Sequence, residues 1–65
     1  MKKEVRIEYI VQYLAENGKW YTSSAFDYYK PALAHYHKLI EESSLSYRLV
    51  IHFDTLTVLE EARHD

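Results

Sequence analysis

No cysteine occurs in the 65 residues, which removes disulfides and argues against a secreted scaffold stapled by bridges. Glycine and proline occur once each, too few for a Gly-rich phosphate loop or a flexible linker. No apolar run approaches the roughly 18 residues of a membrane span. The opening Met1-Lys2-Lys3-Glu4-Val5-Arg6 lacks the uninterrupted apolar segment of a signal peptide. Basic charge is not in excess either: eight Lys and Arg stand against ten Asp and Glu, and the pI is about 6.0. Nucleic-acid binding usually shows as a basic stripe or a high domain pI. These absences predict one cytoplasmic domain over residues 1–65, with membrane and nucleic-acid partners disfavoured.

What is present is apolar and aromatic. The hydrophobic fraction of 48% excludes disorder, which needs low hydrophobicity and high net charge. Seven Tyr and one Trp are many for so short a chain. Such side chains supply large, stiff, amphipathic area and are enriched at protein interfaces, although they also fill small β-rich cores. A chain of this length buries only about 60% of its unfolded surface, so packing or self-association must supply stability.

Residues 5–15 admit two readings. As a strand, Val5, Ile7, Tyr9, Val11 and Tyr13 line one face and Arg6, Glu8 and Gln12 the other. As a helix, Ile7, Ile10, Val11 and Leu14 form a stripe closed by Gly18. Asn17-Gly18 between two apolar runs favours a hairpin, because a two-residue type I′ turn needs positive φ at both central positions. That register sets Leu14 opposite Tyr21, Tyr13 opposite Thr22 and Val11 opposite Ser24. Pro31 suits the first turn of a helix. From there Leu33, Tyr36, His37 and Ile40 recur at helical spacing, widened by Ala32 and Leu39 and ended by Glu41-Glu42-Ser43-Ser44. Residues 46–53 alternate as a third strand. Asp54-Thr55 reads as a bulge or bend, after which Leu56-Thr57-Val58-Leu59 continues in extended form.

The predicted fold is therefore α+β, of order ββαβ. A right-handed crossover places the third strand beside the first, giving a three-stranded antiparallel sheet of order 2-1-3 with the helix on one face. The helix covers the face of Val5 to Tyr13. The opposite face is then left with Ile10, Leu14, Tyr21 and, from the third strand, Val50. An exposed apolar patch of that kind marks an interaction site, so these four residues are the candidate partner- or dimer-binding surface.

Residues that might do chemistry do not converge. His35 and His37 lie two apart on the predicted helix, where side chains diverge, and His52 and His64 are distant, whereas zinc needs three or four ligands. Glu41-Glu42 and Glu60-Glu61 are adjacent pairs that point apart. The serines have no nucleophile-elbow context, and a chain of this size offers little room for a pocket of about 300 Å³. We expect no enzyme activity, catalytic residue, metal, cofactor or small-molecule substrate. The expected function is non-catalytic protein binding, in a protein that is a homodimer or engages a foreign partner.

The helical reading of residues 5–16 supports an alternative. With Tyr21–Phe26 as a second helix, then a third helix and a β-wing, the chain would resemble a winged helix-turn-helix regulator that binds nucleic acid. On the hairpin reading, the ββαβ order, the Glu16-Asn17-Gly18-Lys19-Trp20-Tyr21 turn and the Tyr47-Arg48-Leu49-Val50 strand resemble small phage or prophage accessory proteins. One such group, the phage inhibitors of uracil-DNA glycosylase, is similar in size, acidity and element order and works as a dimer that mimics DNA. The resemblance implies a class, an inhibitor or modulator that occupies a host protein's surface, and carries over no site residue.

Overall fold

A computed structural model describes residues 6–64. Val5, expected in the first strand, and the start read for a signal peptide fall outside these residues, Arg6 excepted. The order is β1 (Glu8–Leu14), β2 (Trp20–Phe26), α1 (Tyr29–Glu42), β3 (Tyr47–Phe53) and β4 (Thr55–Ala62). The sheet is antiparallel and has four strands in the order β2-β1-β3-β4. The predicted 2-1-3 order is its inner part. The expected three-stranded sheet is corrected by β4, which the reading of Leu56–Leu59 as a continuation of the third strand merged with β3. Because β1 is a strand, the winged-helix arrangement does not form.

The hairpin between β1 and β2 forms, but through a longer loop than predicted. Gly18 N donates to Ala15 O at 3.0 Å and Ala15 N donates to Lys19 O at 2.9 Å. Glu16-Asn17-Gly18 thus make a three-residue loop, with Gly18 at φ 81° supplying the left-handed residue such loops need. Asn17 Oδ1 accepts from Lys19 N at 2.9 Å, and its Nδ2 donates to Tyr21 Oη at 2.8 Å. The extra loop residue moves the register by one at the tip: Leu14 faces Trp20, and Tyr13 faces Tyr21. A bulge between Val11 and Gln12 restores the predicted Val11–Ser24 pair. A Cβ at Gly18 would meet nothing within 4 Å, so Gly18→Ala tests backbone strain alone. It should cost about 1 kcal/mol in urea unfolding, with Gly18→Asn costing less.

The helix begins where the chemistry allows. Tyr28 is extended at the N-cap, and Ala32 N donates to Tyr28 O at 3.4 Å. Pro31 sits in the first turn, where its missing N–H loses no bond. At the other end Ser43 N donates to Leu39 O at 3.0 Å. The helix lays Ala32 and Tyr36, flanked by Leu33, Leu39 and Ile40, on Val11, Tyr47 and Leu49 of the sheet. His37, expected on that stripe, is exposed. Cross-strand rows build the floor of this core: Ser24–Val11–Leu49–Glu60 and Tyr21–Tyr13–Tyr47–Ala62. The helix therefore covers the predicted face.

Burial pushes the Tyr36 hydroxyl above its ordinary value, and the Glu60 and Glu61 carboxylates add to the rise. The folded state then holds the phenol proton more tightly than the unfolded state. Its contribution is complete below about pH 10, the ordinary phenol value, and is lost as pH rises through the higher folded value. Alkaline unfolding of Tyr36→Phe should accordingly begin at higher pH than that of the wild type, as followed by circular dichroism.

Candidate association face

Among the described residues, no element lies over the sheet's second face. Strand alternation and the observed pairing place Ala25, Ile10, Val50 and Val58 in one row across all four strands. The next row is Thr22, Gln12, Arg48 and Glu61, and beyond it Leu14 pairs with Trp20. Apolar and polar rows thus lie side by side, with the one Trp of the chain at the margin.

Of the four predicted residues, Ile10 and Leu14 stand on this face and are half-buried. Val50 is there too, but its exposure is 0%. It is flanked across the sheet by Ile10 and Val58 and along its own strand by Arg48 and His52, so it supports the face from beneath and is closed to a partner. Tyr21 is corrected outright. The shift at the turn puts it beside Tyr13, ring centroids 5.9 Å apart, on the helix side. Trp20 takes its place. Only the loop length separated the two, and the sequence offered Lys19-Trp20 opposite Ala15-Leu14 once three loop residues were allowed.

Trp20 is the centre of a stack. The Arg48 guanidinium lies 4.4 Å from its ring centroid, and that of Arg63 lies 5.7 Å away. Arg48 Nε donates to Gln12 Oε1 at 2.8 Å, and Gln12 is only 7% exposed. Arg63 Nε donates to Glu61 Oε2 at 2.7 Å. Arg48 is therefore held by an indole face and by a buried amide. Preorganised Arg and Trp side chains of this kind dominate interface energetics, because little side-chain freedom remains to be lost on docking. On β4, Leu56 and Val58 extend the apolar surface at 54% and 44% exposure.

At the Leu14 end the face turns into an open groove of about 420 Å³ between Tyr13, Leu14, Ala15, Ser44, Leu45 and His64. This exceeds the pocket expected for such a chain. Leu45 is 47% exposed on its wall. Ser46 Oγ in the groove accepts from His64 N at 2.8 Å, and Ser43 Oγ, beside it, accepts from Leu45 N at 3.2 Å. Among the described residues, no three His, Asp or Glu gather where a metal ion could be held. No helix among them is long and apolar enough to cross a membrane. No family model, curated protein or solved structure matches the chain.

Proposed function

We propose that this chain is a non-catalytic protein-binding module, and that the open sheet face is its contact surface. The observation that carries the reading is the Trp20–Arg48–Gln12 stack beside the row Ala25–Ile10–Val50–Val58, on a face that no element among the described residues covers. Trp20 and Arg48 are the anchors, Ile10 and Leu14 the apolar contacts, and Leu45 continues the surface around the groove. The class is that of a phage or prophage accessory protein, an inhibitor or modulator working in the cytoplasm by occupying a partner's surface. The same face closes a homodimer when the partner is absent.

Truncating a central, desolvated anchor typically costs more than 1 kcal/mol of binding. Capture from a bacterial lysate should therefore retain a discrete protein on the wild type and lose it on Leu14→Glu and on Trp20→Ala, while Lys38→Glu on the outer side of the helix retains it. Retention of nucleic acid that falls steeply with salt would overturn the reading, as would equal retention by all four proteins.

A further inference from the structure

Asp54 is the one non-glycine residue with positive φ among the described residues, at 66°. It also sits at the centre of the β3–β4 hairpin. Val50–Val58, Ile51–Thr57, His52–Leu56 and Phe53–Thr55 are all paired symmetrically about it, so a single left-handed residue reverses the chain. No Gly, Asn or Pro helps it do so. β4 is an edge strand, paired to β3 alone, and seven of its eight residues are exposed. Only Ala62, at its far end, reaches the core under the helix.

We propose that the protein exchanges β4 between two copies, with Asp54 as the hinge. If Asp54 relaxes to an extended conformation, residues 47–62 become one strand, and β4 of each copy takes the same place on the other's β3. Every pairing from Tyr47–Ala62 to Phe53–Thr55 is then remade between chains. Because the register from Val50–Val58 inward is symmetric about one residue, the two long strands meet on the two-fold axis with Asp54 opposite Asp54, and the ladder runs through the hinge without a gap, the irregularity between Leu49 and Val50 lying outside it. Exchange relieves two left-handed residues and keeps the contacts of β4, whereas the two facing carboxylates oppose it, as like charges do directly across a ladder. The inference rests on the hinge and is independent of the open face proposed above.

The hinge chemistry fixes the expected order of variants. Asp54→Val cannot easily hold φ 66° and prefers a strand; its dimerisation constant should exceed the wild-type value at least tenfold. Asp54→Asn keeps the turn but removes the facing charges, and should dimerise more than wild type. Asp54→Gly removes the same charges but accepts the left-handed conformation at no cost, so it should dimerise less than Asp54→Asn.

Since the chain has no cysteine, a cross-strand pair made by His52→Cys with Leu56→Cys reports where β4 sits. After refolding at high concentration and oxidation, a closed hairpin gives a disulfide within one chain. An exchanged dimer gives covalent dimer on a non-reducing denaturing gel. We expect more covalent dimer with Val than with Asn at position 54, and more with Asn than with either Gly or the wild-type Asp. Should Asp54→Val fail to fold, the Asn-over-Gly order decides. Dimers whose disulfides all lie within single chains, or covalent dimer that does not change between Asn and Gly, would overturn the proposal and leave the open-face reading untouched.

Discussion

Leu49→Ala should remove about 2–5 kcal/mol, the range for emptying a fully buried leucine site. Leu49 has 0% exposure and lies at the centre of the floor on which Ala32 and Tyr36 pack. A domain of 65 residues has in total about 3–10 kcal/mol at the usual stability per residue. The loss is therefore a large share of the whole, and the variant should be partly unfolded at 37 °C. Urea titration followed by circular dichroism measures it, with a lower midpoint and an unchanged slope. A loss under 1 kcal/mol would mean that the helix does not seal this side of the sheet.

The second large effect belongs to the open face. Arg48→Met keeps the stem against Trp20 but leaves Gln12 Oε1, on a residue 7% exposed, without its partner. A stranded buried acceptor costs about 1–3 kcal/mol, and the lost guanidinium–indole contact adds about 0.5–2 kcal/mol. The double change Gln12→Leu with Arg48→Met removes donor and acceptor together and should recover much of the first loss. A double-mutant cycle on urea midpoints gives the coupling. Additive single effects would show that the 2.8 Å bond contributes nothing and that Arg48 is not held in place.

Two chain reversals separate what the residues announce from what the fold contains. Asn17-Gly18 announced the first one correctly, since the positive φ of Gly18 is a local demand that no distant contact decides. It did not announce the loop length. Two-residue and three-residue loops both place Gly where φ is positive, and the choice moves each tip residue to the opposite face. That is why Tyr21 was expected on the open face and Trp20 was not. The second reversal reads from the sequence only as a bulge or bend at Asp54-Thr55. The apolar set passes there from odd positions, Tyr47 to Phe53, to even ones, Leu56 and Val58, and aspartate is one of the few side chains that tolerate the left-handed region; a bend and a full reversal share both signs, so two strands read as one.

The core was legible for a different reason. Val11, Ala32, Tyr36 and Leu49 follow the 2 and 3.6 periods of their elements, and the helix covers the face those periods indicate. Burial on the other face was not legible. Val50 disappears because Ile10 and Val58 arrive from two neighbouring strands, one of which had not been separated from β3. The stack on Trp20 likewise depends on residues 12, 20, 48 and 63 meeting across four segments of chain.

Trp20 also provides the most direct test of the association face, because it is the single Trp of the chain and stands on that face. Its emission and its quenching by acrylamide should be followed during a concentration series and during titration with a captured partner, with light scattering recording the mass in parallel. The account predicts that emission moves to shorter wavelength and quenching falls as mass increases, and that Leu14→Glu abolishes both changes together. Growth in mass with Trp20 emission and quenching unaltered would show that association occurs elsewhere and would contradict the account.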